Sequence, residues 1–412
     1  MAMSDCELPV YEIYIEDDEL YELNLDPSMD EYVHCEFRHD GRTWEDVRVR
    51  YRGGVSRQAS KKSWKINFDA DDRFYGIDKI NLNTEPIDIS MIRNNLGSIL
   101  LTRAGLDVPR QSYADLWLNG QFHGIYLQLE QVDEIYLRDR GYSEHDWIFK
   151  DAGSDYRRVA SLGDFWEIES GEHDYDFTRL SEFIDILYQT PDCKLEAVFD
   201  SLLDLDMVLR YYAVLSLIDD NDFTVHNHFL HRVGETGKWH IIPWDHNLAF
   251  YNSDRRLGSG CFYRPERVYV GPNLFFTRLL SIDSYRGRYC DIIDSLATAL
   301  MDSLEINTIM DSLHDNIQTD IYDVYRKPCR AQCWGWDNTF TWLANDILDR
   351  ADFLESQTDE FRGELNKLGI YINELCLRNY SFPDEYNDYD PWIEIYNAGD
   401  STFNLGHLIL TD

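Results

Sequence analysis

Two acids and one amide near the middle of the sequence have the residue types and spacing that phosphoryl transfer requires. In "LSLIDDNDFTVHNHFL", residues 215–230, Asn227 follows Asp222 by five positions, and Asp245 comes soon after in "GKWHIIPWDHNLAF". Phosphoryl transfer uses an acid near the attacking hydroxyl, together with acid and amide oxygens on the metal ion that bridges the phosphates. A D-x-x-x-x-N spacing with a second Asp beyond a hairpin is typical of a kinase catalytic loop. The spacing alone leaves the alternative open, an acidic turn followed by an ordinary Asp in a chain with 76 acidic residues.

Histidines in the same segment allow a different interpretation, a zinc-dependent hydrolase. His226 and His228 alternate along a predicted strand, so they share one face, and Asp245 could complete a ligand set. His231 and His246 lie nearby in the sequence. A histidine in a strand is more often a hydrogen-bonded structural residue, however, and the sequence has no second ligand cluster.

A basic segment near the N-terminus offers groups that could hold phosphates. The run "RYRGGVSRQASKKSWKINF", residues 50–68, has a glycine-rich turn between two predicted strands. Glycines let backbone amides approach phosphate oxygens, and nearby cations stabilise the negative charge. The cations at this turn are Arg52, Arg57, Lys61 and Lys62. The alternative is a solvated basic edge strand, which discourages pairing with other chains.

The overall charge narrows the classes of partner. The 412 residues include 38 basic and 76 acidic side chains, a net charge of −38, which repels nucleic acids and anionic membranes. Hydrophobic residues make up 44% of the chain, enough for a sizeable core. No apolar run is long enough to predict a membrane span, and "MAMSDCELPVYEIYIEDD" lacks the pattern of a signal peptide. Eight cysteines permit disulfides without identifying any pair.

The elements that position these residues divide into two parts. The first 130 residues predict strands, one helix and two further strands. The predicted strands are "YEIYIE", "YVHCEFR", "DVRVRYRG" and "KSWKINF". The helix is "PIDISMIRNNLGSILLTRAGL", with Asp88 as its N-cap and Gly105 at its end, and the last two strands form a hairpin across Asn119-Gly120.

The remainder of the chain is predicted to be mainly helical. The segments "FTRLSEFIDILYQT" and "LEAVFDSLLDLDMVLRYYAVLSLID" have helical periodicity, a hairpin turns near Gly237, and residues 274–378 are again mostly helical. We therefore predict an α+β, two-lobed fold with a strand-rich lobe over residues 1–130 and a helical lobe over residues 131–378. An acidic linker, residues 379–391, and the start of a further β domain, residues 392–412, would follow.

Taken together, the basic segment, the hairpin "LWLNGQFHGIYLQLEQVD" and the block around "DDNDFTVHNHFL" resemble the CotH family, the spore coat protein H type of atypical protein kinase. The resemblance covers roughly residues 9–375 in order and spacing. It implies a protein-kinase-like fold, use of ATP with Mg²⁺ or Mn²⁺, and phosphorylation of Ser or Thr on proteins. CotH-like proteins are usually exported or lie on the spore surface, so the resemblance also implies an extracytoplasmic bacterial setting.

The same resemblance assigns a role to individual residues. It implies that Asp222 is the catalytic acid and that Asn227 and Asp245 hold metal. The residues implied to bind ATP are Arg52, Ser56 and Arg57 over the phosphates, one of Lys61 and Lys62 as the strand lysine, with the family register favouring Lys61, and the backbone near Glu130 facing adenine. The sequence departs from ordinary kinases because it has no G-x-G-x-x-G loop and no acid after Asp88 in the first helix. The acidic partner of the lysine therefore stays open, with Glu130 as one candidate.

The last segment, "WIEIYNAGDSTFNLGHLILTD", resembles the opening of a lamin-tail domain, of which only the first strands are present. The alternative is a terminal hairpin that packs on the preceding lobe. For the chain as a whole we expect a basic, Ser-rich protein substrate, since opposite charge steers encounter. The alternatives to protein phosphorylation are a non-catalytic scaffold or adhesion module with the same fold and a different nucleotidyl transfer, such as AMP.

Overall fold

Seven strands of the N-terminal part close into a barrel in a computed structural model of the chain. This structure describes residues 8–88, 90–153, 156–171, 175–220, 227–234, 236–250, 273–325, 336–368, 370–376 and 392–397. The barrel strands are β1 (Val10–Tyr14), β2 (Val33–His39), β3 (Arg42–Tyr51), β4 (Trp64–Asn67), β5 (Lys79–Asn83), β6 (Gln111–Leu118) and β7 (Gln121–Leu129). Their order is β1-β2-β3-β4-β5-β7-β6, and a parallel pairing of β6 with β1 closes the barrel.

Strand alternation separates an apolar interior from a polar outer face of the barrel. Trp64 and Ile66 of β4 point into the barrel core together with Val49 and Tyr51 of β3. Because successive side chains of a strand point to opposite faces, Lys65 lies on the outside.

Two helices accompany the barrel, α1 (Asp17–Leu25) and α2 (Arg93–Arg103). Asp88 begins the turn that leads into α2, because its carboxylate accepts hydrogen bonds from the backbone N–H groups of Ser90 and Arg93, each at 2.9 Å. The apolar side of α2, including Leu96 and Leu100, belongs to the core of the C-terminal part. Helix α2 therefore joins the two parts of the molecule.

The C-terminal part combines helices with a four-stranded sheet. Its helices are α3 (Glu134–Asp139), α4 (Thr178–Gln189), α5 (Asp192–Leu202), α6 (Leu205–Leu217), α7 (Leu274–Leu280), α8 (Asp283–Leu300), α9 (Ser303–Tyr325) and α10 (Trp336–Leu368). Its sheet has the order β11-β10-β8-β9 and is built from β8 (Trp147–Asp151), β9 (Trp166–Ser170), β10 (His228–Arg232) and β11 (Trp239–Pro243). Among the described residues, no helix combines the length and the apolar character needed to cross a bilayer.

The predicted mixed fold, strand-rich first and mainly helical afterwards, is confirmed, but several elements differ from prediction. The sequence reasoning missed α1, α3, β5, β8 and β9, and it did not foresee that the barrel closes. One long predicted helix is in fact α5 and α6, separated at Leu203, which forms a β-bridge with Trp239. The predicted helical stretch also ends early, in β12 (Ile370–Cys376).

Strand β12 pairs antiparallel with β13 (Trp392–Asn397), which begins the segment predicted to open a further β domain. The predicted acidic linker, residues 379–391, lies outside the described residues, as do residues 398–412. The lamin-tail interpretation therefore stays a prediction.

Candidate active site

The β10–β11 hairpin brings Asn227 and Asp245 together. Asn227 directly precedes β10 and Asp245 follows shortly after β11, and the register pairs His228 with Pro243 at this open end of the hairpin. The Asn227 Nδ2 donates a hydrogen bond to the backbone oxygen of Asp245 over 3.3 Å. Asp222 lies within residues 221–226, outside the described residues.

Asn227 and Asp245 both adopt a left-handed backbone conformation that residues other than glycine disfavour. The φ angles are +69° at Asn227 and +55° at Asp245, and Glu85, which proves to be a neighbour of Asp245, has a φ of +47°. Left-handed conformations of this kind cost about 1–3 kcal/mol each and cluster at functional sites. The strain is consistent with selection for side-chain placement over local stability.

The start of helix α2 holds the Asp245 loop. The Asn94 Nδ2 lies 3.5 Å from Asp245 Oδ1, and the Asn94 Oδ1 accepts a hydrogen bond from the His246 backbone N–H over 3.2 Å. Gly97, one turn later, allows this approach, because a Cβ there would lie 2.9 Å from the Cβ of His246. The His246 Nδ1 is also 2.7 Å from Asp220 Oδ2, which ties the loop to the residues after α6.

Arg52 of the barrel interacts electrostatically with this loop, and Lys65 interacts with Arg52. Arg52 follows β3, donates a hydrogen bond to Asn83 Oδ1, and its guanidinium carbon lies 5.9 Å from the centre of the Trp244 ring. Burial lowers the pKa of Arg52 to about 10, and the negative charge of Asp245 acts in the opposite direction. Burial also lowers the pKa of Lys65 to about 8, with Glu169 opposing the shift and Arg52 adding to it. Both side chains remain positively charged at neutral pH.

The glycine-rich turn between β3 and β4 is compact. Gly53 has a φ of +95°, and a Cβ at this position would collide with Ser56 Oγ, so the turn requires glycine. A short 3-10 helix, Val55–Gln58, continues the loop. The Arg57 guanidinium donates to the Ser28 backbone oxygen and to Asp30 Oδ1, each over 2.6 Å, so it is anchored to the loop after α1.

Lys61 and Lys62, one of which the family resemblance implies to be the strand lysine, both lie before β4. Lys61 donates to the Ile125 backbone oxygen over 2.5 Å and lies 4.2 Å from the centre of the Tyr126 ring. Burial lowers the pKa of Lys61 to about 7, partly offset by Asp115. Lys62 donates to the Arg57 backbone oxygen over 2.5 Å. Since β4 begins at Trp64, Lys65 is the lysine within the strand.

Glu130 directly follows β7, and its carboxylate contacts arginines. Arg110 Nη2 lies 2.5 Å from Glu130 Oε1, and Arg140 Nη2 lies 2.8 Å from its Oε2. Burial alone would raise the pKa of Glu130, but the hydrogen bonds from Arg140 and Arg110 hold it below its ordinary value. These contacts do not support Glu130 as the acidic partner of a phosphate-gripping lysine. Its backbone remains the predicted contact for adenine.

Sequence reasoning missed Glu85, a buried acid that follows β5. Its Oε1 lies 3.3 Å from Asn83 Nδ2 and 3.4 Å from Asn94 Nδ2. Burial, together with the negative charges of Asp245 and Asp88, raises the pKa of Glu85 to about 8. The available signal was an acid between a short polar strand and the first predicted helix, in "NLNTEPID".

The described histidines of the zinc interpretation have protein partners. His228 Nε2 lies 2.6 Å from the Tyr156 hydroxyl, and His231 Nε2 lies 3.0 Å from Asp146 Oδ2. His226 lies outside the described residues. Across the part of the chain that the structure describes, no group of three or more His, Cys, Asp or Glu side chains could hold a metal ion. An Asp and an Asn, by contrast, supply the oxygen ligands that Mg²⁺ prefers, and Asp245 and Asn227 fit that chemistry.

Comparison with known proteins gives one family and two relatives in Bacillus subtilis (strain 168). Residues 49–354 match the family described as CotH kinase protein. The chain is 28% identical over 330 residues to inner spore coat protein H. The matched residues cover 78% of this chain and 90% of that protein. It is 22% identical over 300 residues to an inner spore coat protein H-like protein, and this match covers 73% of this chain and 86% of that protein.

Two solved structures show weaker similarity. The Shewanella oneidensis MR-1 toxin–antitoxin complex of HipA, HipB and operator DNA gives a TM-score of 0.34 at 14% identity, covering 88% of this chain and 75% of that one. The Helicobacter pylori proinflammatory kinase CtkA gives a TM-score of 0.25 at 10% identity, covering 73% and 90%. Similarity at this level does not establish a shared fold.

Proposed function

Because the chain belongs to the CotH kinase protein family, we propose that it is an ATP-dependent protein kinase that phosphorylates serine or threonine. One observation carries the proposal beyond family membership. Asn227 and Asp245 meet at the open end of the hairpin, and the charge of Asp245 acts on Arg52 of the barrel. Positioning a nucleotide phosphate requires an amide and an acid that can bind metal, with a cation opposite them.

The site would use ATP with Mg²⁺ or Mn²⁺. Asp245 and Asn227 would hold the metal, whose chemistry is to neutralise charge that develops on the phosphates. Asp222 would orient or deprotonate the substrate hydroxyl, since a kinase catalytic loop places this acid five residues before the metal-binding amide.

Groups of the barrel would hold the nucleotide. Arg52, whose charge interacts with that of Asp245, is the first candidate to contact the phosphates. Lys65, on the same outer face, is a second candidate that sequence reasoning did not name. Ser56, Arg57 and one of Lys61 and Lys62 remain proposed phosphate contacts from the turn, although Arg57 and both lysines already contact protein groups. The backbone at Glu130 would face adenine.

The proposed substrate is a basic, Ser-rich protein. With a net charge of −38, the chain attracts cationic partners over long range, and this raises their rate of encounter. Two relatives are named inner spore coat proteins, so we propose an extracytoplasmic setting at the spore surface.

Incorporation of label from γ-labelled ATP tests the proposal. The wild type would be incubated with Mg²⁺ or Mn²⁺ and a panel of basic Ser-rich proteins, beside Asp222→Ala and Asp245→Ala. Asp311→Ala is a matched control, because Asp311 is an exposed acid of α9. We expect label with the wild type and the control and none with either site variant.

Two other outcomes would redirect the assignment. Label from α-labelled ATP but not from γ-labelled ATP would indicate AMP transfer. Absence of both labels, with no nucleotide-dependent rise in melting temperature, would indicate a binding module that retains the fold.

A further inference from the structure

Glu85 is buried beside Asp245 in a way that structural acids avoid. Glu85 is only 3% exposed, and its Oε2 has no hydrogen-bond partner among the described residues. An isolated buried carboxylate is costly unless it is paired, so such an oxygen indicates a missing partner.

The surrounding hydrogen bonds connect Glu85 to Asp245 through one side chain. Asn94 Nδ2 lies 3.4 Å from Glu85 Oε1 and 3.5 Å from Asp245 Oδ1. A single amide group therefore spans both carboxylates. Negative charge on one of these neighbouring acids disfavours negative charge on the other, and a cation between them would favour the charged form of both.

Arg52 does not supply this cation by direct contact. Its guanidinium donates to Asn83 Oδ1, and Asn83 Nδ2 then donates to Glu85 Oε1. The Asn83 amide therefore stands between the arginine and the acid. Within the described part of the chain, this arrangement leaves Glu85 Oε2 without a hydrogen-bond donor.

We propose that Glu85 is a third protein ligand of the divalent metal held by Asp245 and Asn227. The inference rests on the proposed function, because that function supplies the metal. Carboxylate oxygens from Glu85 and Asp245 with an amide oxygen from Asn227 make an all-oxygen ligand set, which suits Mg²⁺ and Mn²⁺. Glu85 follows β5 of the barrel, so the metal would link the barrel to the hairpin.

Binding of Mn²⁺ provides a readout that does not depend on phosphoryl transfer. Free Mn²⁺ would be measured by electron paramagnetic resonance in titrations of the full chain, with and without a non-hydrolysable ATP analogue. We expect Glu85→Gln to weaken Mn²⁺ binding about tenfold or more, the range seen when groups supporting a metal are lost. Asp146→Asn is the matched control, because it also removes a buried acid, and it should leave Mn²⁺ affinity unchanged.

The melting temperature separates a ligand from a merely structural acid. Without metal, Glu85→Gln should melt at or above the temperature of the wild type, because the amide has the size of the carboxyl group and brings no charge into this buried position. With Mn²⁺, the wild type should gain stability and Glu85→Gln should not. Should Glu85→Gln not fold, Glu85→Asp keeps the carboxyl group but shortens the side chain, and it should weaken Mn²⁺ binding by itself.

The outcomes distinguish this inference from the proposed kinase activity. Wild-type Mn²⁺ affinity in a folded Glu85→Gln protein, or in Glu85→Asp where Gln does not fold, would overturn the role of Glu85 while leaving the kinase proposal intact. Weakened binding in the variant, together with no phosphoryl transfer by the wild type, would uphold the metal ligand and remove the kinase. No Mn²⁺ binding by the wild type would overturn both.

Discussion

Acids at the two ends of the β10–β11 hairpin are held in opposite ways. At the turn end, Asp146 Oδ2 lies 3.0 Å from His231 Nε2, and its Oδ1 accepts a hydrogen bond from the Gly234 backbone N–H over 3.0 Å. At the open end, Glu85 and Asp245 share the amide of Asn94. Asp146 therefore has a donor for each carboxylate oxygen, whereas Glu85 and Asp245 lie beside each other.

This difference separates a structural use of acids from a functional one. An acid whose oxygens both have donors stabilises the fold and needs no further partner. Adjacent acids in a strained backbone destabilise the fold, and they are expected where a cation or a substrate completes the site. The hairpin therefore combines a stabilised turn with an open end that is arranged for binding.

The largest expected effect is at the open end. Asp245→Asn should reduce phosphoryl transfer about a thousandfold or more, the scale of losing a residue of the catalytic machinery. Because the substitution removes a charge beside Glu85, the melting temperature without metal should stay level or rise. Initial rates with γ-labelled ATP and a thermal melt of the same preparation measure both. A large fall in melting temperature would show that Asp245 is mainly structural, and the contrast between the two ends would be lost.

Arg52 should have the next largest effect, on nucleotide binding. Arg52→Ala should raise the KM for ATP about 10- to 100-fold, since a hydrogen bond to a charged group contributes roughly 1.5–3 kcal/mol. Lys65→Met should have a smaller effect in the same direction if this lysine also faces the phosphates. Steady-state kinetics over a range of ATP concentrations gives the comparison. An unchanged KM for Arg52→Ala would place the nucleotide away from this face of the barrel.

Local signals explain which parts of the fold the sequence predicts. The β6–β7 hairpin is predictable because Asn119 and Gly120 supply the two left-handed residues of its turn, with φ angles of +48° and +75°. Barrel closure is not, because it depends on β1 pairing with β6, about a hundred residues away in sequence. Periodicity within a segment carries no information on such a pairing.

The candidate site divides in the same way. The spacing from Asp222 to Asn227 lies within one loop, so a sequence motif can indicate it. The proximity of Glu85 to Asp245 joins residues far apart in the chain, and the start of α2 brings them together through Asn94, which contacts both. The position of Lys65 likewise depends on the register of Tyr51 with Trp64, which the long turn between β3 and β4 left undetermined.

The turn end of the hairpin should show the reverse of the pattern at Asp245. Asp146→Asn should lower the free energy of unfolding by about 1–3 kcal/mol, because it disrupts a buried hydrogen-bonded pair. The rate of phosphoryl transfer per folded molecule should stay the same. Urea unfolding followed by fluorescence, with the rate measured well below the transition, tests both parts. Loss of activity without loss of stability would assign this end to the site as well.

The smallest expected effect extends the comparison to a buried cation. Burial lowers the pKa of Lys61 to about 7 in the folded protein, while in the unfolded chain a lysine titrates near 10.5. Below about pH 7 both states carry the proton, so the cost of burying the charge is present in full. Between about pH 7 and pH 10.5 the unfolded state binds more protons than the folded state, so stability gains from this group as pH rises.

Lys61→Met isolates that contribution. The methionine carries no charge to bury, so the stability of the variant relative to the wild type should be greatest near pH 6 and should shrink steadily towards pH 10. Melting temperatures of the two proteins, measured side by side at each pH, give the difference directly. A difference that does not change with pH would mean that Lys61 keeps an ordinary pKa, with its ammonium solvated or stabilised by Asp115. In that case Lys61 would be a permanently charged group, which would favour it over Lys65 as the proposed phosphate-gripping lysine.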